Sequence, residues 1–394
     1  MTSKTQTALG LMSGTSLDGI DAGLLETDGC ALVRAGPSAT TPYETGLRER
    51  LRAILGGGGP AAEVEHELTL AHAEAVAGLL KSAELMPDAV DLIGFHGHTT
   101  LHRPSEGRTV QIGDAGLLAE RTGIAVVSDF RSRDVAEGGQ GAPLVPLFHA
   151  AITAPLRLTH ASIAVLNVGG VANLTWIGEG FDIEAASPDT DTILAFDTGP
   201  GNALIDDWTR RHTGQLHDAG GRLAAAGTPD RAALSALLEQ KFFDLPPPKS
   251  LDRNDFDLGP VVLLSPEDGA ASLTAFTAGA VARAREHFPD GMRRPGQTKW
   301  LVTGGGRHNP SLMQALREAL DEPTLAPIEE IGWDGDAFEA HAFAYLAVRS
   351  REGLALTLPS TTGVKRPTTG GKFTGAGSGA PSARAKADQR RQSR

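Results

Sequence analysis

The stretch Gly10-Leu11-Met12-Ser13-Gly14-Thr15-Ser16-Leu17-Asp18-Gly19-Ile20-Asp21-Ala22-Gly23-Leu24 constrains the fold more than any other part of the chain. Apolar residues lead into it from Ala8 and away from it through Leu25, while its middle is dominated by small residues, hydroxyls and two carboxylates. The pattern predicts strand, polar turn, strand. Glycine lets the backbone approach a ligand closely and adopt positive φ. A turn with Gly14, Gly19 and the hydroxyls of Ser13, Thr15 and Ser16 can therefore surround a polyanion with donors. An ordinary tight turn rich in Ser and Gly has the same composition. The spacing is neither the Walker pattern nor the dinucleotide fingerprint, because no Lys follows the glycines and no helical pattern follows the turn.

A second hairpin of the same kind opens the other half of the chain. Residues 162–168 read as a strand, Gly169-Gly170 as a turn and residues 171–177 as the returning strand, with Asn167 and Asn173 beside the turn. Each hairpin is followed by alternating helical and strand patterns, the grammar of a layered α/β protein. In the first half, Val64, Leu68, Ala71, Ala75 and Leu79 mark one helix face and residues 90–95 a buried strand. Asp114 caps a helix over 115–121, Gly123 stops it, and residues 124–127 form another strand. In the second half, helices are expected over 203–211, 229–243, 272–288 and 310–320, a strand over 300–303, and a long helix of small residues over 336–349. A chain of 394 residues favours two domains. The boundaries expected are 1–150 and 151–335, with the helix near 336–360 packing back on the first, so that two glycine-tipped turns face each other across a cleft.

Residues 194–197 form an apolar strand ending in Asp197, and Thr198-Gly199-Pro200-Gly201-Asn202 turns into a helix whose N-terminus adds positive potential. A carboxylate delivered in this way can act as a general base or orient a nucleophile in phosphoryl transfer, although a turn former or helix cap would look similar. His96, His98 and His102 fall within seven residues, but no cysteine or nearby carboxylate completes a metal set. Polar contacts to a ligand from a loop at a strand's end fit them better. The loop 128–143 carries Arg131, able to hold a carboxylate in bidentate fashion, and Gly138-Gly139-Gln140-Gly141. Gly304-Gly305-Gly306 follows a strand and offers bare backbone to a flat ring such as adenine.

Composition removes several classes. No apolar run approaches the roughly 20 residues that span a bilayer, residues 1–7 lack the apolar core of a signal peptide, and the lone Cys30 excludes an internal disulfide. A cytoplasmic protein with no membrane partner is expected. The formal net charge is −12, yet the residues after Val364 carry an excess of Lys and Arg over the single Asp388, so the body is strongly acidic. General nucleic-acid binding by the body is not expected. Residues 374–394 read as a disordered basic tail.

Taken together, the motifs closely resemble those of the anhydro-N-acetylmuramic acid kinases, members of the sugar kinase, Hsp70 and actin superfamily. The resemblance runs from residue 10 to about residue 371. Besides the first hairpin, it is carried by Gly94-Phe95-His96-Gly97-His98-Thr99, Gln111-Ile112-Gly113-Asp114, the 129–146 loop, Asn167-Val168-Gly169-Gly170, Asp197-Thr198-Gly199-Pro200-Gly201-Asn202 and Thr303-Gly304-Gly305-Gly306. It implies two ribonuclease-H-like (actin-like ATPase) lobes around a central nucleotide and sugar cleft. ATP would be bound by Gly14, Thr15, Ser16, Leu17, Asp18, Gly19, Ile20 and Asp21 as the phosphate loop, by Gly169 and Gly170, and by Gly304, Gly305 and Gly306 near the adenosine. It also implies the reaction in which ATP, water and 1,6-anhydro-N-acetylmuramic acid give N-acetylmuramate 6-phosphate and ADP, a step in recycling cell-wall sugars. Asp197 matches the family's catalytic base, Mg²⁺ would offset phosphate charge, and a homodimer is implied. By residue type and motif position, His96, Arg131, Gln140 and Glu339 are the candidate sugar contacts. Leu251-Asp252 stands where the family usually has Thr-Gly.

Overall fold

The structure, a computed structural model, describes residues 4–14, 17–185, 188–251 and 256–376. The first half supplies β1 (Gln6–Ser13), β2 (Gly19–Thr27), β3 (Val33–Pro42), β4 (Leu92–Arg103), β5 (Arg108–Ile112) and β6 (Val126–Ser128). The second supplies β7 (Ser162–Val168), β8 (Val171–Gly178), β9 (Ile193–Pro200), β10 (Lys299–Thr303) and β11 (Ala326–Pro327), and β12 (Lys372–Thr374) comes last. One sheet has the order β12-β6-β4-β1-β2-β3 with β5 paired to β4, and the other the order β11-β10-β7-β8-β9. In each, a three-stranded antiparallel meander, β1-β2-β3 or β7-β8-β9, continues through parallel neighbours, β4 and β6 or β10 and β11. The hairpin repeated in the sequence is thus the start of a repeated sheet, and the chain forms two ribonuclease-H-like α/β lobes.

Both sheets are covered on both faces, which is why residues 8–11 of β1, 92–95 of β4 and 163–166 of β7 are buried without alternation. Leu68, Val76 and Leu79 of the helix Ala61–Ser82 and Leu118 of the helix Ala115–Thr122 pack on the outer face of the first sheet. Val281 and Ala284 of the helix Pro266–Ala284, with Leu312 and Leu316 of the helix Pro310–Leu320, do the same for the second. A shared core joins the lobes. It gathers Leu92 and Val127 from the first sheet, Ile163, Val165 and Leu301 from the second, and Phe148 and Phe343 from the helices Pro146–Thr153 and Phe338–Arg351.

The helix Phe338–Arg351 is seated in a trough made by three glycines in register. Gly10 pairs with Gly23 on β2 and with Gly94 on β4. A Cβ on Gly10 would lie 1.7 Å from the Ala340 carbonyl oxygen, one on Gly94 2.1 Å from that of Phe343, and one on Gly23 2.8 Å from the His341 ring. Small residues on the helix side, Ala340, Ala344 and Ala347, complete the close approach. This seat brings the N-terminal turn of the helix, with Glu339, beside the first hairpin.

Three expectations need correction. The segment after residue 95 is strand rather than loop: β4 runs through His96, His98 and His102 to Arg103 because β5 hydrogen-bonds along it. The tail does not begin at Thr374, since Lys372, Phe373 and Thr374 pair with Ser128, Val127 and Val126 at the sheet's edge; residues 377–394 lie outside the described residues. The helix expected over 229–243 is cut to Arg231–Leu238, followed by a separate turn at Lys241–Asp244. The cap at Asp114 forms as expected, its carboxylate accepting the Leu117 N–H at 2.9 Å.

Candidate active site

A bulge sorts the histidines of β4. The β1–β4 register shifts between Leu11 and Ser13, and Gly97 sits there at φ +70, where a Cβ would lie 2.3 Å from the Ile112 carbonyl oxygen. One extra residue breaks the two-residue alternation of a strand. His96 therefore packs against Phe343 at 4.6 Å between ring centroids, whereas His98 bonds Ser13 through Nδ1 at 2.8 Å.

On the His96 side, Arg131 donates from Nε and Nη2 to His96 Nε2, both at 3.1 Å, and from Nη1 to the Gly141 carbonyl at 2.7 Å. His96 Nδ1–H donates to the Gly97 carbonyl at 2.9 Å. Burial, reinforced by the Arg131 charge, holds His96 well below the usual histidine range, so it is a neutral acceptor. Burial also lowers Arg131 to about 10, against the pull of Glu339 and Asp134, and the guanidinium stays charged at neutral pH. Burial raises the Glu339 carboxyl; Arg131 opposes this and Asp21 adds to it. The loop holding Gln140 is braced by Asp134, which accepts the Gly141 N–H and the Thr362 hydroxyl, each at 2.6 Å. Gln140 donates its N–H to the Thr362 carbonyl at 2.7 Å, and its Oε1 accepts the Ser250 hydroxyl at 2.8 Å.

Ser250 leads to Asp197. The N–H of Leu251 donates to Asp197 Oδ2 at 2.8 Å, and Asp197 donates its own N–H to the Lys249 carbonyl at 3.0 Å. Asp197 is half-buried on β9 between the buried Phe196 and Thr198. Burial pushes its carboxyl from 3.8 up to about 7, partly offset by the Leu251 hydrogen bond. A carboxylate that titrates near neutrality is suited to proton abstraction. The Leu251 contact is made by main chain, so a Leu side chain where the family usually has Thr leaves it intact.

Beyond β9 the chain returns to the second hairpin. Asn202 N–H donates to the Gly169 carbonyl at 2.7 Å, Gly201 N–H to that of Gly170 at 3.0 Å, and Asn202 Nδ2 to that of Val168 at 3.0 Å. The Gly304 turn lies against the same place: at φ +75, a Cβ there would lie 2.3 Å from Asn167 Oδ1. Gly169, Gly170, Gly304 and Gly305 thus form one patch of nearly bare backbone, whereas Gly306 is buried against the Val168 side chain and faces no ligand. Buried Arg307 ties it to the first lobe's side, bonding the Gly304 carbonyl at 3.0 Å, Glu329 at 2.8 Å and Asp336 at 2.7 Å. Asp336, Asp334 and Asp18 in turn act on Asp21, whose carboxyl is raised chiefly by burial despite a 2.6 Å bond from Thr40. The candidate residues therefore form a series of neighbours, from the glycine patch through Asp336, Asp21, Glu339, Arg131–His96, Gln140 and Ser250 to Asp197.

Within the first hairpin the structure refines the expectations. Thr15 and Ser16 lie outside the described residues. Ser13 is not a free donor, because its hydroxyl sits between Tyr43 Oη at 2.5 Å and His98 Nδ1. The side chains of Leu17 and Ile20 are core, which leaves only their main chain for a ligand. Gly19 is demanded by β3, whose Thr41 carbonyl oxygen lies 2.5 Å from a Cβ placed there. Gly14 accepts the Leu17 N–H at 3.1 Å in the turn, and Asp18 is exposed beside Arg48. Tyr43, Asp134, Thr362 and Lys249 carry no local sequence signal of a place in the site; Arg307, directly after the glycine run, does. Among the described residues no group of three or more His, Cys, Asp or Glu side chains is placed to hold a metal ion, and no helix is long and apolar enough to cross a membrane.

Asp197 lies within β9, which runs on to Pro200 because β8 pairs along it, and not at the strand's end as expected. Two lobes of repeated topology, a bare glycine patch and a carboxylate raised towards neutrality by burial are the arrangement of a two-lobed sugar kinase. More narrowly, the chain belongs to the anhydro-N-acetylmuramic acid kinase family, whose model matches residues 6–376. The anhydro-N-acetylmuramic acid kinase of Paramagnetospirillum magneticum is 54% identical over 93% of this chain and 98% of its own. That of Rhodospirillum rubrum is 53% identical over 93% of each. Among solved structures, component A of the (R)-2-hydroxyglutaryl-CoA dehydratase of Acidaminococcus fermentans aligns at 14% identity, over 88% of this chain and 99% of that one, with a TM-score of 0.42.

Proposed function

We propose that this chain opens 1,6-anhydro-N-acetylmuramic acid with water and phosphorylates the freed O6 with ATP, giving N-acetylmuramate 6-phosphate and ADP. Membership of the family supports the reaction, and one observation carries the assignment of roles: Asp197, poised near neutrality, is hydrogen-bonded to the strip that also touches Gln140. Asp197 takes a proton from the water whose oxygen bonds to the anomeric carbon. As that bond forms, the bond from the anomeric carbon to O6 breaks, and O6 bonds to the γ-phosphorus while the bond to ADP breaks. The proton on Asp197 then passes to solvent. Arg131, held in one orientation by His96 and Gly141, presents a fixed positive charge to the sugar's carboxylate. Gln140 and Glu339 bracket the same sugar, and the main chain of the 14–21 hairpin and of the two glycine turns receives ATP.

Asp18 and Asp21, at the foot of the phosphate turn, lie close enough for the charge of one to act on the other. Mg²⁺ uses one or two carboxylates together with phosphate oxygens and water, so Asp18 and Asp21 would hold it, and it would offset charge on the transferred phosphoryl group. The same reading places the enzyme in the cytoplasm, acting as a homodimer. Incubation with ATP and the anhydro sugar tests it: a 6-phosphosugar should form in step with ADP. ADP formed without a phosphosugar, or no turnover, would overturn it.

A further inference from the structure

Asp197 is held by β8 on one side of its strand and, on the other, by three residues that belong to no helix or strand, Lys249, Ser250 and Leu251. This strip bonds Asp197 twice, through the Lys249 carbonyl and the Leu251 N–H, and reaches the other lobe through Ser250 and Gln140. A strip without a ladder needs another anchor. Lys249 is 8% exposed, its ammonium donates to the Phe242 carbonyl at 3.2 Å, and it lies 4.6 Å from the centre of the Phe242 ring and 5.9 Å from that of Phe196. Phe196 immediately precedes Asp197 on β9, and Phe242 packs edge-on against Phe243 and Phe256 in the second lobe's aromatic cluster.

The surroundings leave the ammonium to this task. Of its basic neighbours, Arg283 is bonded to the Leu238 carbonyl and paired with Asp244, and His287, held below the usual histidine range by burial, packs edge-on against Phe196 at 5.3 Å. Among the described residues no carboxylate forms an ion pair with Lys249. A residue that only filled this space would do so at lower desolvation cost as Leu or Met. We propose that Lys249 is a positioning residue for the base: fastened to the Phe242 carbonyl and ring, it fixes the strip whose main chain aims Asp197 and whose Ser250 orients Gln140. Because Ser250 occupies Gln140 Oε1, the Gln140 NH₂ is the group turned to a ligand, and the group it meets there is an acceptor. This inference rests on the reading of Asp197 as base.

The test uses the full chain, with steady-state kinetics and amide hydrogen exchange. Lys249→Met keeps the length and apolar stem but removes the donor. It should lower kcat by ~10²-fold, as a misplaced catalytic group does, with the KM for ATP unchanged and faster exchange at the Leu251 amide. Lys249→Ala should lose turnover likewise. Propylammonium, which supplies the missing atoms, should restore turnover, and propan-1-ol should not. A Lys249→Met enzyme with wild-type turnover would overturn the proposal. So would equal rescue by the alcohol, or lost activity with Leu251 protection unchanged. Should Asp197→Asn keep its turnover, the base assignment falls, and exchange at Leu251 still judges Lys249 separately.

Discussion

Replacing Asp197 by Asn should lower turnover by orders of magnitude and stabilise the protein, and both effects follow from one property of the site. Asn keeps the shape of Asp, and its carbonyl can accept the Leu251 N–H that now bonds Oδ2 at 2.8 Å, but it cannot take a proton. Losing a general base costs ~10²–10⁴ in rate, or about 3–5 kcal/mol in the barrier. The stability term has the opposite sign. A carboxyl whose pKa rises on folding from 3.8 to about 7 binds a proton more tightly in the folded chain. Its ionisation therefore does not oppose folding below about pH 4, opposes it increasingly as pH rises towards 7, and opposes it fully above that. At about 1.4 kcal/mol per tenfold change in proton affinity, the upper bound at pH 8 is ~4 kcal/mol. Asp197 is partly open to solvent, which screens part of this, and ~1–2 kcal/mol is expected. The assay is chemical denaturation of both proteins at pH 5 and pH 8, alongside turnover with saturating ATP. The gain of Asn over Asp should be larger at pH 8, and wild-type kcat/KM should fall as pH drops below about 7. Near-normal turnover in the variant, or a stability gap that ignores pH, would refute the reasoning.

Arg131→Lys removes the planar fork that bonds His96 and Gly141 together; with ~1.5 kcal/mol for each charge-assisted bond lost, the KM for the sugar should rise about tenfold or more while that for ATP holds. Gly10→Ala drives a methyl group into the Ala340 carbonyl oxygen, 1.7 Å away, and should cost ~3 kcal/mol or more, read from denaturant midpoints. Gly304→Ala meets Asn167 Oδ1 at 2.3 Å and forces positive φ on a residue with a Cβ; calorimetric titration should show weakened ATP binding, and denaturation a loss of ~1–3 kcal/mol.

What the sequence by itself determined was local and periodic. The hairpin at 8–25, its echo at 162–177, the strand delivering Asp197 and the small-residue helix near the end are all set by residue period, turn chemistry and the absence of bulk, which act over a few neighbouring positions. The resemblance to the family was carried by particular motif blocks, among them residues 13–21, 94–99, 197–202 and 303–306. The aim of each side chain was decided only in three dimensions. His96 and His98 look like a pair in sequence, yet a bulge at Gly97 sends them to opposite faces of the sheet. Ser13 looks like a ligand donor and is instead held between Tyr43 and His98. Gly10, Gly23 and Gly94 look like turn formers or accidents of composition until strand pairing lines them up beneath a helix more than 240 residues further along the chain. The proton affinity of Asp197 follows from its burial and from a main-chain N–H supplied by Leu251, 54 residues away. Desolvation and register are properties of packed neighbours, and no local pattern records which distant residues those neighbours are.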